Sequence, residues 1–187
     1  MGNAVEVIVM GGSWGGLQAS MAILEALPAN FSIPIVLVLH RLRNSEGNLQ
    51  HIFSNRIALD VLEIEEKEKI KGGHVYLAPA NYHVLIEKNK TFSLDVSDLV
   101  NYSRPSIDVT FMSIADTYKS SVVGILLSGA NKDGSAGLKY IAEVGGRAIV
   151  QNPVEAEVDT MPRSAIDIIP DCTVLGLKQI KDYLLSL

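Results

Sequence analysis

Residues 5–28 read VEVIVMGGSWGGLQASMAILEALP. Val5–Met10 is a short, β-branched run that stops at Gly11-Gly12, as a buried strand does. After Gly16 the apolar residues Leu17, Met21, Ile23, Leu24 and Leu27 recur at helical spacing until Pro28. The stretch therefore predicts a strand, a glycine-rich turn and a helix. Ile33–Leu39 is apolar throughout, the pattern of a strand covered on both faces, and it ends at His40. A second helical pattern spans Gly47–Ile57, with Leu49, Ile52, Phe53 and Ile57 on one face. This rhythm predicts an α/β protein with a doubly wound, mainly parallel sheet and crossover helices.

The middle of the chain breaks the rhythm. Glu63–Lys71 mixes both charges and reads as a solvated face. His74–Ala78, Tyr82–Glu87 and Thr91–Val96 resemble short strands, with Lys88-Asn89-Lys90 at a hairpin turn. They predict a small antiparallel insertion or edge. Pro105 then opens a helix reaching about Tyr118. The parallel pattern resumes with strands at Val122–Leu127 and Arg147–Gln151 and helices at Gly134–Val144 and Met161–Ile166. Cys172–Leu175 and Leu177–Leu185 complete it as a short strand and a last helix.

At 187 residues, 48% hydrophobic and 20% charged, the chain has the composition of one soluble domain, read as spanning 1–187. A net charge of −5 argues against a nucleic-acid partner, which needs clustered Lys and Arg. The apolar runs are shorter than the ~20 residues of a membrane span, so no membrane insertion is expected. A lone cysteine, Cys172, excludes an intrachain disulfide and a multi-cysteine metal site, and a reducing, cytoplasmic setting fits. Met1–Gly12 lack the basic start of a secretory signal.

Gly11-Gly12-Ser13-Trp14-Gly15 satisfies G-x-S-x-G between a predicted strand and a predicted helix. A sharp turn there holds the serine hydroxyl outward, and the helix start aims free N–H groups at the same spot. The bland reading is a glycine-rich turn that binds phosphate or only packs helix on strand. His40 and Asp133 also fall just beyond strand ends, where doubly wound folds gather functional groups. Individually, a strand-capping histidine and an Asp-Gly turn explain them. Together, Ser13, His40 and Asp133 supply nucleophile, base and orienting acid from one rim. Their order differs from the Ser…Asp…His of α/β-hydrolases. A dinucleotide site is disfavoured, because the glycine spacing is wrong and His40 stands where an acidic residue grips ribose. His51, His74 and His83 lack metal-ligand spacing and suit surface or capping roles, while Cys172 suits an inert core position.

From Val5 to about Ile166 the sequence resembles the catalytic domain of chemotaxis protein-glutamate methylesterases, the CheB family. The likeness rests on ordered blocks: Gly11–Gly16, His40, Gly73–Pro79, Arg104–Asp108, Ser128–Gly134, Gln151–Pro153 and Met161–Ala165. It implies a serine hydrolase that converts γ-glutamyl methyl esters of chemoreceptors to glutamate and methanol, and in many members deamidates glutamines. Ser13, His40 and Asp133 would be its catalytic residues, and no metal or organic cofactor is implied. Trp14, Gly15 and Ala130 are the candidate oxyanion and pocket residues. Trp14 stands where the family usually has a small residue, and Ala130-Asn131-Lys132 replaces its usual Met-Gly-Asn. No receiver domain precedes Val5, so control through an attached receiver is not expected, and a separate response-regulator partner could supply it. A hydrolase for another ester or amide, and a non-catalytic regulatory binding module on the same scaffold, are the alternatives.

Overall fold

The structure is a computed structural model that describes residues 4–40 and 49–187. Along the chain, β1 (Val7–Gly12), α1 (Gly16–Leu24), β2 (Ile35–Leu39) and α2 (Leu49–Ser54) come first. The first two residues of the expected Gly47–Ile57 helix lie outside the described residues. Then follow β3 (Asp60–Glu63), β4 (His74–Leu77), β5 (His83–Ile86), β6 (Phe92–Asp95) and α3 (Ile107–Tyr118). β7 (Val122–Leu126), α4 (Ser135–Glu143), β8 (Arg147–Gln151), α5 (Thr160–Ile166), β9 (Thr173–Leu175) and α6 (Leu177–Leu185) close the chain.

Seven strands form one sheet in the order β3-β4-β2-β1-β7-β8-β9, with every neighbouring pair parallel. Side chains alternate across it. Val7 and Val9 of β1 pack with Phe111 and Ile114 of α3 and Leu138 of α4. Ile8 and Met10 face the other way, toward Leu24 of α1, Phe53 of α2 and Ile180 of α6. A layer of helices on each face is what a strand buried on both sides requires. Each such fully buried aliphatic side chain contributes about 1.5–3 kcal/mol.

Three features depart from the sequence reading. β4 lies inside the parallel sheet, between β2 and β3, and only β5 and β6 pair antiparallel. Three consecutive buried residues in β4, Val75, Tyr76 and Leu77, mark an interior strand, but four residues are too few to show a period. β3 escaped notice because it is a short edge strand whose ends, Asp60 and Glu63, are exposed, as edges generally are. β1 also continues to Gly12, since Gly11 and Gly12 keep the ladder with Val38 and Leu39.

The chain leaves β1 on one side to build β2, β4 and β3, then returns to lay β7 on the other. The order thus reverses at β1, and the carboxyl ends of β2, β1 and β7 open onto one crevice, where such sheets place their ligands.

Candidate active site

Strand register brings Ser13 and His40 together. Gly12 is opposite Leu39, and the His40 N–H donates to the Gly12 carbonyl at 3.1 Å, so Ser13 and His40 occupy the next rung. Adjacent strands are about 4.8 Å apart. On the other side the Ser13 N–H donates to the Ser128 carbonyl just beyond β7, at 2.9 Å.

His40 Nε2 lies 2.7 Å from Asp133 Oδ2, with the ring 12% exposed and the carboxylate fully buried. Asp133 Oδ2 also accepts the Ile107 N–H at 2.7 Å. Its Oδ1 accepts from the Asp108 N–H at 3.1 Å, the Ser106 hydroxyl at 2.8 Å and the Asn101 amide at 3.1 Å. Burial pushes the Asp133 carboxyl up, but hydrogen bonds from His40 and the two α3 N–H groups outweigh it, and the group ionises below the ordinary carboxylate range. An ionised carboxylate only accepts, so Nε2 carries the ring proton and Nδ1 keeps the lone pair. The Ser13 hydroxyl makes no hydrogen bond to the ring or to any other described residue. Catalytic hydrogen bonds are often long without substrate and tighten only when it binds.

Gly15 has φ of 78°, the left-handed region glycine enters freely, and it caps α1. The Gly16 N–H turns back to the Ser13 carbonyl at 2.8 Å. The N–H groups of Trp14 and Gly15 meet no acceptor among the described residues. Two free donors at a helix start, beside a serine, suit a developing oxyanion.

A family model described as CheB methylesterase matches residues 8–184. The chain belongs to the CheB methylesterase family. The crystal structure of the Thermotoga maritima CheB methylesterase catalytic domain superposes with a TM-score of 0.91 at 33% identity, covering 98% of this chain and 99% of that one. A Leptospira interrogans protein named "Putative protein-glutamate methylesterase/protein-glutamine glutaminase" is 48% identical, covering 97% of this chain and 94% of its own length. The full Thermotoga maritima protein-glutamate methylesterase/protein-glutamine glutaminase is 34% identical over 87% of this chain, which spans only 48% of that relative.

On this CheB scaffold the candidate pocket residues separate. Trp14 is 67% exposed, and its indole N–H donates to Glu157 Oε1 at 2.8 Å. Ala130 and Lys132 point to solvent. The Ser128 hydroxyl ties the Trp14 carbonyl at 2.8 Å, and Gln151 Oε1 accepts the Ser128 N–H at 2.8 Å. A methionine does stand near the serine, but it comes from α5: the fully buried Met161 and Ser13 flank Gly129 so closely that an added Cβ there would sit 2.6 Å from Met161 Cε and 3.1 Å from Ser13 Cβ.

Sequence reasoning missed Asn101, Ser106, Glu157 and the placement of Met161. The Arg104–Asp108 block signalled a helix start, yet no spacing rule ties it to Asp133 across 25 or more residues. His83, expected in a surface or capping role, caps but is fully buried. Its Nε2 donates to the Asp98 carbonyl at 3.0 Å and its Nδ1 accepts the Ser106 N–H at 3.1 Å. Cys172 is a partly buried free thiol, its ionisation pushed up by burial.

Proposed function

We propose that this protein hydrolyses γ-glutamyl methyl esters on the cytoplasmic part of methylated chemoreceptors, releasing methanol and leaving glutamate, and that it deamidates glutamines at equivalent sites. It would act in the cytoplasm, with a separate response regulator as a candidate controlling partner. The observation that carries the chemistry is the 2.7 Å contact between His40 Nε2 and the buried Asp133 carboxylate, one strand away from Ser13.

In this reading Asp133 holds the imidazole with its Nδ1 lone pair free. Nδ1 takes the Ser13 proton as Oγ attacks the ester carbonyl, and Asp133 stabilises the imidazolium. The oxyanion is received by the Trp14 and Gly15 N–H groups. As the tetrahedral intermediate collapses, Nδ1–H gives its proton to the departing methoxide, and methanol leaves a glutamyl-serine ester. Water, deprotonated by Nδ1, attacks that ester; the returning proton restores the Ser13 hydroxyl and glutamate is released. With glutamine the first leaving group is ammonia.

Purified protein is expected to release methanol from a methylated receptor fragment, and Ser13→Ala to abolish release by several orders of magnitude. Equal release by the variant would end the proposal. The exposed Trp14 indole beside the serine favours a second reading, a different ester or amide substrate. Faster turnover of small acyl esters than of receptor methyl esters would support that one. A folded protein whose Ser13 fails to react with a serine-directed phosphonate would instead point to a binding module.

A further inference from the structure

Asn101 and Tyr102 are the two central residues of a tight turn closed by reciprocal hydrogen bonds between Val100 and Ser103, at 3.2 and 2.9 Å. Both have positive φ, 50° and 62°. This backbone sends the two side chains apart. Tyr102 is 98% exposed, whereas the Asn101 amide turns inward and donates to Asp108 Oδ2 at 2.9 Å and to Asp133 Oδ1 at 3.1 Å. An amide NH2 has two protons, one for each acceptor.

The two acceptors are a difficult pair. Asp108 is 7% exposed and Asp133 is fully buried. Burial, followed by repulsion from Asp133, pushes the Asp108 carboxyl above its ordinary range, while the N–H groups it binds pull the other way. Two carboxylates in one low-dielectric site oppose each other's ionisation unless donors stand between them. Asn101 is the side chain that stands between them. A cavity of about 490 Å³, lined by Asn101, Asp108, Lys132 and Ser135 among others, opens beside the bridge.

We propose that Asn101 is a positioning residue for hydrolysis: its amide bridges Asp108 and Asp133, fixes Oδ1 of Asp133 and so keeps Oδ2 aimed at His40. The proposal rests on the reading of Ser13, His40 and Asp133 as the catalytic set. Among the described residues, the titratable groups facing this cluster are His40 beyond β2, Asp108 on α3, His83 behind Ser106, and Lys132 and Asp167 across the cavity. Lys132 is exposed, and neither Lys132 nor Asp167 makes a hydrogen bond or ion pair with Asp108 or Asp133, so neither takes the place of the amide.

Asn101→Gly tests this, because glycine tolerates the left-handed backbone and deletes only the amide. With a methylated receptor fragment, kcat is expected to fall at least about tenfold with KM nearly unchanged. The acid limb of the kcat/KM profile should also move to higher pH, since Asp133 with one donor fewer and an unshielded Asp108 beside it holds the imidazolium more strongly. Adding Asp108→Asn should move the limb back. A rate like wild type, or an equal loss at every pH with the limb in place, would overturn the proposal. NMR titration of the His40 ring reads the same effect without turnover: in a Ser13→Ala background, Asn101→Gly should move that titration upward, and an unmoved titration would refute the bridge. Absence of Ser13-dependent methanol release in the otherwise intact protein would refute the enzymatic reading instead, leaving the NMR result to judge Asn101.

Discussion

Asp108 and Asp133 cap each other's helices. Asp133, just before α4, accepts the N–H groups of Ile107 and Asp108 in the first turn of α3. Asp108, in that first turn, accepts the Gly137 N–H in the first turn of α4 at 2.7 Å. Each carboxylate meets the positive end of the other's helix, which favours negative charge there. The orientation of Asp133 toward His40 is thus built into the packing of α3 against α4.

Removing one cap should therefore be felt by both helices. Asp108→Ala leaves the Gly137 N–H without its acceptor and the Asn101 amide with only one of its two, and is expected to destabilise the fold by about 1–3 kcal/mol. Denaturant unfolding measures it. A midpoint equal to wild type would show that the reciprocal cap contributes nothing.

The same arrangement sets a pH dependence. The Asp133 carboxyl ionises below its ordinary range in the fold, so its stabilisation is complete above the unfolded value and is lost as pH falls through the folded one. Asp133→Asn should lower stability most near neutrality, and the gap to wild type should close as pH drops below about 4. Asp108 has the opposite sign: its raised ionisation means its charge costs stability above the unfolded value, a cost relieved as pH falls. Matched unfolding curves across pH 3–7 are the check, and a constant gap would show that Asp133 is not held ionised by its donors.

Gly15→Ala tests the turn itself. The position has φ of 78°, and an added Cβ would lie 2.7 Å from both the Ser128 hydroxyl and Glu157 Cβ. Left-handed strain costs a non-glycine residue about 1–2 kcal/mol before any clash. The variant should be less stable by at least that amount and also slower, because the adjustment moves the turn bearing Ser13. Wild-type stability and rate together would mean the turn accommodates a side chain freely.

Most of the architecture was legible because residue pattern and fold obey the same period. The uninterrupted apolar runs Ile33–Leu39 and Val122–Leu127 became central strands, and the glycine cluster before Leu17 became a strand-to-helix turn. Ser13, His40 and Asp133 were legible for a topological reason: residues just past parallel strands share one rim wherever the helices are wound right-handedly. What stayed hidden was contact between distant segments. Asn101 sits in a turn of unremarkable sequence, and its bond to Asp133 exists because α3 and α4 pack side by side. β4 was misplaced for the same reason, since four residues do not encode which neighbour they will pair with.

Trp14 is where this chain departs most visibly from the pattern its sequence resembles, and its surroundings make the consequence measurable. The residue directly follows Ser13, its carbonyl is tied by the Ser128 hydroxyl and its indole by Glu157 Oε1 at 2.8 Å. On the proposed reading of Ser13 as the nucleophile, a ring tied in this way would form a wall beside the alcohol portion of the ester. Trp14→Thr removes the wall and leaves the backbone tie. The kcat/KM ratio for ethyl over methyl glutamyl esters is therefore expected to rise about tenfold, the usual scale for discrimination by one methylene. Glu157→Gln keeps an oxygen acceptor for the indole and should leave that ratio within about twofold of wild type, whereas Glu157→Ala frees the ring and should move it in the direction of Trp14→Thr. An unchanged ratio in Trp14→Thr would place the indole outside the ester pocket.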